Sequence, residues 1–206
     1  ENVTEKVPSY EELREEWNQD ALVGTYVFGS LSIQDGRYFL SSSSPTGDMY
    51  LTISEETKIL DAVSGAAVDQ SVLGKTQTVY AYIEPAMALS YPPIASAELV
   101  LCNIPADYRV PEYCEVSAVY PQKDGSTVLK TSNGKALTFD KEFKAEASTG
   151  EAAAITTLNS GDHLLLWKDQ DGKISRAMIF ADGANASGLM GIRQGDSNIF
   201  QLVERP

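Results

Sequence analysis

The chain has 206 residues, with 16 Lys+Arg against 29 Asp+Glu for a formal net charge of -13. Apolar residues make up 43 % and charged residues 22 %, an ordinary globular composition, and a chain this long buries about 70 % of its unfolded surface without metals or disulfides. The acidity argues against nucleic acid and anionic membrane surfaces as partners, because both call for clustered Lys/Arg, and no apolar run approaches the length that spans a bilayer.

The chain opens on Glu1 in a polar, acidic stretch without an initiator Met, which fits a mature chain whose signal peptide has been removed. Asn2-Val3-Thr4 and Asn185-Ala186-Ser187 match the glycosylation sequon, a pattern short enough to arise by chance. Residues 9–18 read as a helix within an N-terminal segment 1–20. Ser9 and Glu12 form a capping box, Tyr10, Leu13 and Trp17 make one apolar stripe, and the glutamates of the first turns suit the positive end of the helix dipole.

After Asp20 the texture changes to short β-type runs. Strands are expected at 22–31, 37–42, 49–53, 77–83 and 96–102, then at 113–120, 126–131, 135–139, 163–168 and 173–180. Asp35-Gly36, Asp124-Gly125, Asn133-Gly134 and Asp171-Gly172 are flanked by such runs and read as two-residue hairpin turns, since these dipeptides tolerate positive φ. The long crossover helices of a doubly wound α/β domain are missing.

The two halves repeat one order of elements. Leu51-Thr52-Ile53 and Asp61-Ala62-Val63-Ser64-Gly65 in the first are answered by Leu137-Thr138-Phe139 and Glu146-Ala147-Ser148-Thr149-Gly150 in the second. The expected fold is therefore all-β, two tandem small five-stranded OB-like barrels behind one N-terminal helix. The first barrel covers 21–104 and the second 112–182, with Pro105 to Pro111 as the hinge. The connectors 57–74 and 142–161 have room for a short helix or turn. The remainder, 183–206, ends in an apolar strand at Ile199–Val203 that is expected to pack back on a barrel.

One link breaks the symmetry. In the second half Trp167 to Lys173 needs only a tight turn, whereas the first half spends Glu84–Ala95 on it. Pro85, Pro92 and Pro93 stiffen that loop, and Met87, Leu89 and Tyr91 give it apolar side chains. It reads as a flap over the barrel mouth or as a preformed contact edge, with Met87, Leu89, Tyr91, Pro92 and Pro93 as the candidate ligand or partner residues.

The stretch "EPAMALSYPPIASAELVL", preceded by "LGKTQTVYAYI" and "TISEETKILDA", resembles a repeat of secreted or cell-surface proteins of Gram-positive bacteria, of the PAM-x-x-S-x-PP type. The likeness covers 22–103; the second half lacks the Pro-Pro element, and Ala88 stands where the repeat has Thr. The resemblance implies a small β-barrel in an extracellular or cell-surface location. It carries no catalytic residues.

Cys102 and Cys114 lie twelve positions apart. They form a disulfide, with a loop closure that contributes about 3 kcal/mol, or two buried free thiols in neighbouring strands. With His163 as the single histidine, no four-ligand Cys/His zinc site can be assembled, and no nucleophile-elbow motif exists for a triad built on His163. "DQDGK" at 169–173 starts like a calcium loop but lacks its closing Glu, and reads as a hairpin turn. A glycosidase pair is defined by separation in space, and 29 acids offer no way to choose two.

The expectation is a monomeric, non-enzymatic binding or spacer module, with no metal or cofactor, for a protein, peptide or glycan. Two rivals stand beside it: a carboxylate-dependent hydrolase of glycan or cell-wall material working in the inter-barrel cleft, and an interaction module that pairs strands through the 197–203 edge.

Overall fold

A computed structural model describes residues 24–43, 47–88 and 90–183. The expected helix over 9–18 and the expected strand at Ile199–Val203 fall outside them. The described chain is mostly β, in two sheets, with two short 3-10 turns. It divides into two compact units, the boundary falling between Pro111 and Glu112.

The first unit holds β1 (Thr25–Gln34), β2 (Arg37–Ser42), β3 (Met49–Thr52), β4 (Lys58–Asp61), β5 (Gln77–Ala88) and β6 (Ile94–Cys102). Neighbours run in the order β3-β2-β1-β5-β6-β4, and β3 also pairs with β6, so five strands form a cycle of pairings. All ladders are antiparallel except β3–β6 and β4–β6. The alternation of the strands decides what fills the interior. Val27 and Leu31 of β1, Leu40 of β2, Met49 and Leu51 of β3, Val79 and Ala81 of β5 and Val100 of β6 meet in one buried cluster. Each large member contributes roughly 1.5–3 kcal/mol by leaving water.

The reverse faces of β5 and β6 are buried as well. Tyr82 stands opposite Leu99, and Tyr80 opposite Leu101, which is level with Leu60 of β4. Leu60, Tyr82, Leu99 and Leu101 are all buried without belonging to the interior cluster. That explains the near-continuous apolar run Leu99-Val100-Leu101-Cys102, which a strand wet on one side would not have.

The second unit holds β7 (Glu112–Pro121), β8 (Thr127–Thr131), β9 (Ala136–Phe139), β10 (Ala145–Ala147), β11 (Ala152–Ala153), β12 (His163–Lys168) and β13 (Ile174–Phe180), in the order β11-β10-β13-β12-β7-β8-β9. Val116, Leu129, Leu164, Leu166 and Ala177 centre its core. Here too a reverse face is apolar: Tyr113, Leu165 and Met178 stand level across β7, β12 and β13, and all are buried.

Three expectations need correction. The first concerns Glu84–Ala95, expected as one long loop. β5 runs on to Ala88 and β6 begins at Ile94, so the connection is short. The registers Ile83↔Ala97 and Met87↔Ala95 leave Glu84, Pro85 and Ala86 facing only Ser96, a bulge. A proline is tolerated at such a place because no ladder hydrogen bond is asked of it.

The connectors are the second correction. They contain the 3-10 turns Gln70–Gly74 and Ile155–Thr157, but also β4, β10 and β11, which the sequence reading left unassigned. Third, only Asp35-Gly36 has both residues at positive φ, 54° and 74°, as a two-residue turn requires. Gly125, Gly134 and Gly172 are instead the last residues of three-residue hairpin loops. In each, the Gly N–H donates three residues back, to Gln122, Thr131 and Asp169 respectively, and the Gly alone takes positive φ.

Candidate functional site

The Asp35-Gly36 turn folds β2 back on β1, and the pleat then sorts β2 into two faces. Leu40 enters the core and Tyr38 packs against it, so Arg37, Phe39 and Ser41 point the other way. In β3 the same rule sends Met49 and Leu51 inward and Tyr50 and Thr52 outward. Register then aligns one rung across the sheet: Ser32 opposite Phe39, Phe39 opposite Tyr50, Tyr50 level with Ile94, and Ile94 opposite Ala88.

On this rung Phe39 and Tyr50 are half-buried, and their rings meet edge to face at 5.4 Å. The exposed Arg37 lays its guanidinium over the Tyr50 ring, with Cζ 3.9 Å from the centroid, a contact worth about 0.5–1 kcal/mol at such a site. Among the described residues this guanidinium has no ion-pair partner. Around it stand neutral polar side chains. Gln34 is opposite Arg37 and donates from Nε2 to Ser32 Oγ at 3.3 Å, while Ser41 and Thr52 are exposed.

Part of the candidate loop adjoins this rung. The Pro93 carbonyl accepts the Tyr50 N–H at 2.9 Å, which anchors the β5–β6 turn to β3. Within the turn Ser90 N–H donates to Ala88 O and Ser90 Oγ to Pro92 O, both at 2.9 Å, and the Tyr91–Pro92 peptide is cis. Pro92 and Pro93 are half-buried and Tyr91 is 100 % exposed. A flap closing on its own unit would bury that ring, so the turn presents Tyr91 outward. Met87 belongs to β5, its backbone level with Ala95; Leu89 falls outside the described residues. Of the candidate residues named from the sequence, Tyr91, Pro92 and Pro93 lie beside this rung, whereas Arg37, Phe39 and Tyr50 were not among them. The signal was the Asp35-Gly36 turn, which fixes the parity of every residue after it.

Other clusters are occupied with the fold. An open groove of about 570 Å³ lies beside the Gln70–Gly74 turn, with Ser71, Lys75, Gln77 and Asn103 among its walls. Its central amide is spent locally, because Gln77 Nε2 donates to the Val72 carbonyl at 2.7 Å and to the Lys75 carbonyl at 3.2 Å. His163 stacks on Tyr113 at 4.9 Å and its Nδ1 lies 2.7 Å from Asp182 Oδ1, so the ring is held on two sides. The neighbouring thiol cannot serve it as a nucleophile. Cys114 faces the core, and burial, with the Glu112 charge adding, pushes it up to about 12.

In place of the disulfide considered from the sequence, Cys102 and Cys114 are free buried thiols. Burial and the nearby Asp61 carboxylate push Cys102 up to about 11. Asp61 itself titrates below the usual carboxylate range. Burial works to raise it, but the Ser64 and Val63 amides and the Asn103 side chain hydrogen-bond to its charged form and outweigh that. "DQDGK" is a hairpin turn in which Asp169 Oδ1 accepts the Asp171 and Lys173 N–H groups, both at 2.9 Å. Arg176 also lies over an aromatic ring, that of Trp167, but its charge is committed to Glu146.

No family model matches the chain, and no curated protein matches it. Among the described residues no helix is long and apolar enough to cross a membrane.

Proposed function

We propose that this chain is a non-enzymatic binding module of two tandem OB-like barrels, working at the cell surface or outside the cell, and that it takes its ligand on the outward rung of the first unit. The observation that carries the reading is the Arg37–Tyr50–Phe39 cluster, an aromatic surface whose cation has no ion-pair partner among the described residues, beside the exposed Tyr91 turn. Half-buried aromatics flanked by a few fixed polar groups are what a shallow binding site needs. The cysteine chemistry argues against a thiol enzyme, since neither thiol ionises near neutral pH.

The barrel reading of the first unit rests on the cycle β1–β2–β3–β6–β5, in which each strand has two neighbours. The tandem reading rests on strand order. Taken as β3-β2-β1-β5-β6-β4 and β9-β8-β7-β12-β13-β10, the two sheets list corresponding strands in one sequence. In both, the strand after the third hairpin arm pairs in parallel with the last. The extracellular setting rests on the resemblance of residues 22–103 to a surface-protein repeat.

A thermal-shift screen of glycans and peptides tests the binding claim. A ligand at a hundred times its Kd adds about 2.7 kcal/mol to stability. The shift should disappear in Phe39→Ala and shrink in Tyr91→Ala. A ligand whose shift is unchanged in both variants places binding elsewhere and ends the reading.

A further inference from the structure

We infer that the ligand of this face is an acidic saccharide, its carboxylate gripped by Arg37 while a sugar ring lies against Phe39 and Tyr50. The inference rests on the binding role proposed above and names the chemistry of the ligand. Its first support is the state of Arg37. Arg37 is exposed and has no ion-pair partner among the described residues, as is also true of Lys75, Lys123, Lys144 and Lys173, but unlike those lysines it lies over an aromatic ring. Tyr50 covers one flat side of the guanidinium and holds it in place. The guanidinium N–H groups form the planar fork that a carboxylate accepts in bidentate fashion. Arg176 provides the contrast: stacked in the same way on Trp167, it already holds Glu146.

The second support is what surrounds the cation. Ser32, Gln34, Ser41 and Thr52 share the outward face and offer hydroxyls and an amide, groups that pair with sugar hydroxyls. The third is topological. An extended peptide adds to a sheet through a free edge, but β2 is paired on both sides by β1 and β3, and β3 by β2 and β6. Only the side-chain face is on offer, which suits a ring better than a backbone. A polyphosphate would have to approach a strongly acidic protein through one arginine, and is disfavoured.

The test is calorimetric titration of the full chain with the methyl glycosides of galacturonate, glucuronate and mannuronate, each carrying a single carboxylate and each against its methyl ester, which keeps the shape and removes the charge. At least one acid should bind about three- to fivefold tighter than its ester, with the gap narrowing as salt is raised. Arg37→Gln should bring acid and ester together, Arg37→Lys should restore only part of the gap, and Phe39→Ala should weaken both forms alike. Circular dichroism checks that each variant is folded. Equal binding of acid and ester that still depends on Phe39 overturns the inference and leaves the binding role standing. A preference that survives Arg37→Gln puts the carboxylate elsewhere and also overturns it. No binding of any of these sugars removes the inference, and the fate of the broader role is then read from the Phe39-dependent hits of the thermal-shift screen.

Discussion

Gly29 and Gly36 both belong to the β1–β2 hairpin, and each excludes a side chain for its own reason. A Cβ on Gly29 would lie 2.1 Å from the Ser41 carbonyl oxygen, in the backbone of the paired strand, which cannot give way cheaply. Gly36 has open space around it but a φ of 74°, where an L-residue costs roughly 1–2 kcal/mol. Gly29→Ala should therefore destabilise the chain by about 3 kcal/mol or more, and Gly36→Ala by less, as read from urea midpoints. The reverse order would mean that β1 and β2 approach less closely than 2.1 Å implies. The thiols allow a second test at this scale. With Cys102 held near 11 and Cys114 near 12, on the order of a thousandth or less of either is thiolate at pH 8. A disulfide reagent should leave both untouched in the native protein and modify both within the mixing time in denaturant. Rapid native labelling of either would show that its strand opens.

Among the elements, the second unit is tied at one end by a carboxylate between two lysines. Glu112, at the start of β7, accepts from Lys168 Nζ at 3.1 Å, at the end of β12, and from Lys135 Nζ at 3.5 Å, at the β8–β9 turn. Burial pushes this carboxyl up, but the two ammonium groups outweigh it and hold it below its ordinary value of 4.5. A depressed folded pKa means that the folded state binds fewer protons than the unfolded one. The stabilisation is thus complete above pH 4.5 and is lost as pH falls through the folded pKa. The Glu112 side chain is 38 % exposed, so solvent screening limits the effect to at most about 1 kcal/mol. Glu112→Gln should lower the urea midpoint at pH 7, with the gap to the parent narrowing as pH falls below 4.5. An offset that stays constant with pH would assign the loss to packing rather than charge.

The same elements explain what could be read in advance. The long antiparallel strands were legible because Asp35-Gly36, Asp124-Gly125, Asn133-Gly134 and Asp171-Gly172 punctuate them, and because Leu164–Trp167 is a continuous apolar run. β4 and β10 were not, since each is at most four residues long and pairs in parallel with the last strand of its sheet, far along the chain, a partner that no short hairpin marks. The extension of β5 past Ile83 was hidden by Pro85, a strand breaker everywhere except at a bulge. The candidate surface was only partly visible in the sequence for a related reason. Tyr91, Pro92 and Pro93 announce themselves by composition, whereas Arg37, Phe39 and Tyr50 become one surface only through the registers Phe39↔Tyr50 and Tyr50↔Ile94.

At the level of the whole molecule, two separate apolar cores bear on the proposed duplication. Leu31 belongs to the cluster of the first unit and Leu164 to that of the second, and both are completely buried. If a unit was copied in tandem, it had to bury its own core before the copy existed, so each half should keep a cooperative core of its own. Truncating either leucine to Ala should cost about 2–5 kcal/mol. The loss should also stay local. Amide exchange in β1–β6 should accelerate by about thirtyfold or more in Leu31→Ala, with β7–β13 near their parent rates, and Leu164→Ala should give the converse. Exchange read by mass spectrometry resolves the two sets of peptides directly. Were either substitution to accelerate all strands alike, the halves would unfold as one body, and a shared strand order would then reflect one cooperative β fold rather than two ancestral copies. The split pattern, by contrast, would leave the first unit free to carry the ligand face while the second keeps its own stability.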